Sequence, residues 1–95
     1  MATIHIPTPL RKFTNQNRIL ETGKTTLSGA IEHLVEEHPG IKKNLLDDNG
    51  HIRSYIKIYV GDEEVDPLEN GTLEIGEETE ISIVPAIAGG TNNEY

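Results

Sequence analysis

The chain has no cysteine and no tryptophan. The missing thiols exclude a disulfide framework, a thiolate metal site, an iron–sulfur cluster and a cysteine nucleophile, and they leave the redox compartment unread. Aromatic side chains are almost as scarce. Phe13, Tyr55, Tyr59 and Tyr95 are the full set, so a core must be assembled from Ile, Leu and Val. Bases are outnumbered, eight Lys and Arg against sixteen Asp and Glu, for a net charge of −8. That balance leaves no basic stripe to neutralise phosphates, repels nucleic acid and anionic membrane alike, and points to a basic face on any charged partner. Nor is there an apolar run approaching the roughly 20 residues that cross a bilayer, or a basic-then-apolar leader at the start. The expectation is a soluble cytoplasmic protein of one domain, since a chain of 95 residues supports one small core and buries roughly 60 to 65% of its unfolded surface.

What is present is a set of short periodic segments. Ile4 and Ile6 stand two apart, the period of a half-buried strand over residues 2–6, and Pro7 and Pro9 stop it because they cannot donate to a ladder. Residues 18–21 read as a second strand, joined to the first as a hairpin by a loop holding Arg11, Lys12 and Phe13. Leu27, Ile31, Leu34 and Val35 then recur at helical spacing, with Thr25 or Thr26 available as N-cap and Pro39 and Gly40 as the stop. Residues 41–46 form a further turn or two, and residues 47–50 a loop. Tyr55, Lys57 and Tyr59 alternate against Ile56, Ile58 and Val60 in a third strand, followed by a turn at Asp62 and a short strand near Val65. A last strand spans residues 80–84, with Ile81 and Ile83 on one face. The order is ββαβββ, and pattern alone assigns the α+β class.

Few constellations suggest chemistry. His33 and His38 lie five apart, about 140° around a helix, and His5 and His51 fall in other elements, so surface or partly buried histidines are the simpler reading than a metal site. Gly23-Lys24 lacks the leading glycine of a phosphate-binding loop, which discards nucleotide binding. Ser28, Ser54 and Ser82 have no histidine–carboxylate pattern beside them, although sequence spacing does not exclude a spatial triad. The acids at Glu36, Glu37 and Asp62, Glu63, Glu64 read as solvated charge.

The C-terminus reads differently. After Ile83 the chain runs Val84-Pro85-Ala86-Ile87-Ala88-Gly89-Gly90 and then Thr91-Asn92-Asn93-Glu94-Tyr95. Adjacent glycines forgo all side-chain contact and lose the most backbone entropy on ordering, which suits an unfolded, narrow segment. Were Gly90 terminal, its carboxylate would sit on an arm without Cβ atoms, able to enter a tight channel. By composition alone, a frayed terminus is slightly the better reading of these residues.

A resemblance reverses that balance. The start "IHIPTPLRKFT", the middle "YIKIYVGDEEV" and the end "EISIVPAIAGG" together resemble the ThiS/MoaD family of ubiquitin-like sulfur carrier proteins, most similar within it to the CysO type of cysteine synthesis. The likeness covers residues 3–90. It implies a β-grasp fold, a small mixed sheet packed on one main helix over residues 1–88, with a diglycine tail and removable extension over residues 89–95. It further implies a carrier rather than an enzyme: Gly90, supported by Gly89, is adenylated by an E1-like ThiF/MoeB-type adenylyltransferase using ATP and magnesium, then converted to a thiocarboxylate. The chain itself would bind no cofactor. The sulfur-accepting synthase would typically use pyridoxal phosphate.

Residues 91–95 depart from the simplest family pattern and leave the Gly90 carbonyl in an amide. They resemble the extensions that zinc-dependent JAB/MPN-type metallopeptidases remove, here between Gly90 and Thr91. Two rival readings stay open: a ubiquitin-like modifier joined through Gly90 to protein lysines, and a β-grasp interaction module whose tail does no chemistry. For docking, Pro85, Ala86, Ile87 and Ala88 form an apolar patch at the base of the tail, unless Ile87 merely completes the core strand. Asp62, Glu63 and Glu64 are candidates for steering toward a basic partner.

Overall fold

A computed structural model of the chain describes residues 1–85. Strands β1 (Ala2–His5) and β2 (Ile19–Thr22) pair antiparallel, Ile4 opposite Leu20. The connection expected as a loop contains a 3₁₀ helix over Thr8–Phe13. Pro7 and Pro9 hold their φ near helical values while lacking donors, and Leu10, 6% exposed, fastens the turn to the core.

Helix α1 (Leu27–Glu37) crosses one face of the sheet. A 3₁₀ turn over Pro39–Ile41 leads into α2 (Lys42–Leu45), and β3 (Ile56–Val60), β4 (Glu63–Val65), α3 (Pro67–Asn70) and β5 (Glu80–Pro85) complete the order. The five strands lie as β2-β1-β5-β3-β4. β5 is central, parallel to β1 and antiparallel to β3. A mixed sheet with the last strand between a hairpin and β3, covered by one main helix, is the β-grasp arrangement.

The alternation expected from sequence sorts the sheet into two faces. Ala2, Ile4, Ile56, Ile58, Ile81 and Ile83 point at α1 and are at most 5% exposed, and Leu27, Ala30, Ile31 and Leu34 meet them from the helix. Among the described residues every buried apolar side chain lies between Ala2 and Ile83.

The N-terminus of α1 shows why it starts there. Its three orphan amides find acceptors, Leu27 N–H donating to Leu73 O, Ser28 N–H to Gly71 O and Gly29 N–H to Thr26 Oγ1, and Ala30 N–H makes the first helical bond to Thr26 O. The segment after α3 thus seals the helix, and Gly71 permits the approach. A Cβ there would lie 2.9 Å from Pro67 O. Among the described residues no helix is long and apolar enough to cross a membrane.

Candidate functional site

Of the residues assigned to tail chemistry and docking, Ala86, Ile87, Ala88, Gly89, Gly90 and Thr91 lie outside the described residues. Pro85 is the last described. It stands opposite Ile56 and is half-buried. It has no N–H to donate, and the ladder to β1, whose last pair is His5 with Ser82, has already stopped before it. The exposed apolar group at this end is its neighbour Val84, 42% exposed beside Lys57 on the open face of the sheet. Sequence reading passed over Val84, although the period-two rule that buries Ile83 turns Val84 outward.

The open face carries a row of side chains across four strands: Ile19, 48% exposed, then His5, Ser82 and Tyr59. One row over, Glu80 lies against His5, with His5 Nε2 2.9 Å from Glu80 Oε1. Ser82, His5 and Glu80 thus share a face. Among the described residues, though, no hydrogen bond joins Ser82 to the ring, so the relay of a nucleophilic triad is not assembled. Lys57 Nζ stands 3.6 Å from Glu64 Oε2, a surface pair about half exposed on each side and worth little.

The other histidines remain apart. His33 Nδ1 is 2.7 Å from the hydroxyl of Thr22, which is fully buried and also accepts the Lys24 amide at 3.2 Å. His38 follows α1, and His51 belongs to the loop after α2. Among the described residues no three His, Asp or Glu side chains gather for a metal. In the 47–51 loop, the Asp47 carboxylate accepts the amides of Asn49 and His51. Its pKa falls below the ordinary 3.8, mainly through the His51 amide, against desolvation, which ranks next, and with lesser help from the Asn49 amide and the charges of His51 and Arg53.

Charge is distributed unevenly along the chain and in space. Residues 1–60 hold all eight bases and six acids, a net +2, whereas residues 61–95 hold ten acids and no base, a net −10. Among the described residues the fold draws part of each set to opposite ends of the sheet. Asp62 and Glu63 flank the turn from β3 to β4, and Glu77, Glu78 and Glu80 cluster where β5 begins, with Gly61 N–H donating to Glu80 O. Pro85 lies at the other end of β5. Asp62 and Glu63 thus lie at the end of β5 away from Pro85, whereas Glu64 reaches back to Lys57, the residue opposite Val84.

Three sets of comparisons bear on this arrangement. The profile of the ThiS family matches residues 4–90. Sulfur carrier protein CysO of Mycobacterium tuberculosis (strain ATCC 25618 / H37Rv) is 32% identical over 90 residues, spanning 93% of this chain and 97% of that protein. Among solved structures, a chain of the Amycolatopsis orientalis BexX/CysO complex superposes with a TM-score of 0.79 at 29% identity, over 95% of this chain and all of that one. The crystal structure of M. tuberculosis CysO gives the same TM-score and identity over 92% of this chain and all of its own. SAMP1 of Haloferax volcanii, at 20% identity and a TM-score of 0.76 over 94% of this chain and 98% of its own, shares the fold.

Proposed function

The chain belongs to the ThiS family, and from that premise we propose that it is the precursor of a sulfur carrier whose working atom is the carbonyl carbon of Gly90. The observation that carries the reading is where the family match stops. It runs through Gly90 and leaves residues 91–95 outside. Relatives that align over nearly their full length are sulfur carrier proteins, which supports a carrier role here and a co-substrate rather than an enzyme.

The chemistry follows from what Gly90 is in each form. In the 95-residue chain its carbonyl is an amide and accepts no activation, so hydrolysis of the bond to Thr91, by a JAB/MPN-type zinc peptidase, comes first. One carboxylate oxygen of Gly90 then attacks the α-phosphorus of ATP, pyrophosphate leaves, and an acyl-adenylate remains. A ThiF/MoeB-type enzyme would supply the ATP and magnesium. Hydrosulfide, or its equivalent from a donor, attacks the acyl carbon, AMP departs, and the product is a thiocarboxylate. A carboxylate is a poor electrophile and AMP a good leaving group, so the two steps divide one difficult exchange.

The acceptor would be a pyridoxal phosphate-dependent synthase making cysteine or a related metabolite, the role suggested by the CysO relatives. The protein part contributes reach. Gly89 and Gly90 have no side chain to obstruct a channel.

Intact mass spectrometry of the full chain, before and after incubation in extract of its source cells with ATP and a sulfur donor, tests this. The expected result is loss of residues 91–95 followed by replacement of one oxygen by sulfur. Clipping followed by attachment to other proteins would assign a modifier instead. An unchanged mass in extract that processes a control carrier would end both readings.

A further inference from the structure

The base of the tail is ringed by cations in a chain whose net charge is −8. Arg11 and Lys12 sit on the 3₁₀ helix that follows β1, and Phe13 brings that helix against Gly40, where an added Cβ would meet Phe13 Cδ1 at 3.7 Å. Lys43 lies on α2. Arg53 is tied to it, donating from Nε to Lys43 O at 2.8 Å. Arg53 also leads into β3, its carbonyl accepting the amide of Ile56, which is the residue paired with Pro85. All four therefore stand at the end of the sheet from which the chain continues toward Gly90.

We propose that Arg11, Lys12, Lys43 and Arg53 form a docking collar for an acidic rim around the channel of the enzyme that activates Gly90. The proposal rests on the carrier reading and adds the chemistry of the partner's surface. Net charge alone suggests a basic partner, but net charge averages over two poles.

Three observations separate the collar from scattered surface charge. Among the described residues none of the four has a carboxylate within 4.0 Å, whereas Lys57 and two histidines do. Two of them are held in place rather than trailing in solvent, Arg53 by Lys43 O and Arg11 by donation from Nε to Ile6 O at 3.1 Å. The nine acids of residues 61–80 occur without a single base, and those around the β3–β4 turn and the start of β5 occupy the opposite pole.

Arg53 feels the charge of Asp47 and Lys12 lies 5.2 Å over the Phe13 ring, but like charges gathered without a close ion pair still repel one another, a cost that an oppositely charged partner lowers. Geometry then limits where that partner is. Gly90 is the fifth residue after Pro85, so even a fully extended segment keeps the reacting carbon within roughly 17 Å of Pro85. An enzyme that closes on Gly90 must approach the collar. With an acidic pole at the far end, an acidic rim attracts the tail end and repels the other, so encounters are oriented productively. A nucleic acid or anionic membrane would feel the same collar together with the −10 of residues 61–95, which disfavours a large polyanionic surface and favours a local acidic rim.

The test is ATP–pyrophosphate exchange by the activating enzyme of the source organism. The substrate is the chain ending at Gly90, which retains the whole described fold. Lys12→Glu and Lys43→Glu are compared with Lys24→Glu, an equal change in net charge just before α1. Each collar reversal is expected to raise KM about tenfold at low ionic strength with kcat unchanged. The effect should shrink to under about twofold near 1 M salt, where the Debye length is about 3 Å. Lys24→Glu should change KM less than about twofold.

Exchange with wild type but equal KM for all three variants overturns the collar and leaves the carrier reading standing. No exchange with wild type overturns both. Binding to phosphatidylserine vesicles that Lys12→Glu abolishes, with activation unaltered, would assign the basic pole to a membrane and equally overturn the proposal.

Discussion

Adjacent residues on β5 offer a sharp test of how this sheet serves the tail. Ile83 points at α1 and is 3% exposed, while Val84 points the other way and is 42% exposed. Ile83→Ala removes three buried carbons, about 2.4 kcal/mol at roughly 0.8 kcal/mol each, and leaves a cavity between β3 and α1 that adds to the loss, for a total of about 3 kcal/mol. In a domain of this size each kcal/mol lowers Tm by roughly 4–8 °C, so a fall of about 12–24 °C is expected. Val84→Ala removes atoms already in contact with water and should cost under about 1 kcal/mol.

Activation should respond in the opposite sense. Val84 lies on the open face one residue before Pro85, where a partner gripping the tail base would touch it, so Val84→Ala should raise KM in the exchange assay. Ile83→Ala, measured well below its melting point, should leave KM near wild type. Differential scanning calorimetry and the exchange assay on the same samples give both values. Equal destabilisation by the two substitutions, or a larger cost for Val84→Ala, would refute the strand register and with it the assignment of the two faces.

Gly71→Ala should destabilise by about 1–3 kcal/mol in urea titration, because overpacking forces a shift and the new Cβ would lie 2.9 Å from a backbone oxygen of α3. Gly76→Ala, whose Cβ would meet only Thr79 Oγ1 at 3.9 Å, should be close to neutral. Asp47→Asn tests the loop after α2. A folded pKa below 3.8 means that ionised Asp47 contributes stability at higher pH and loses it as pH falls through the folded value. Wild type should therefore melt above Asp47→Asn near neutrality, and the gap measured by thermal melts should close in acid below pH 3.8.

The sequence by itself determined what depends on neighbours along the chain. The two-residue period of Ile4/Ile6, Ile56/Ile58 and Ile81/Ile83 assigns strands and their buried sides, the spacing of Leu27, Ile31 and Leu34 assigns α1, and Thr26 marks its cap. The diglycine is likewise a property of the sequence alone, since it consists in the absence of side chains.

Tertiary structure decided the rest, because those features join segments far apart. Thr8–Phe13 winds into a 3₁₀ helix because Leu10 finds the core. Pro67–Asn70 forms a helical turn and the segment after it supplies the carbonyls that close α1. β1 lies parallel to β5, Thr3 opposite Glu80, a pairing no local pattern encodes. The charge poles follow from the same step. Arg11, Lys12, Lys43 and Arg53 are scattered over more than forty positions of sequence, and only the pairing of β3 with β5 and the packing of the 3₁₀ helices bring them to the tail exit. Net charge is a sum over residues and carries no direction; the fold gives it one.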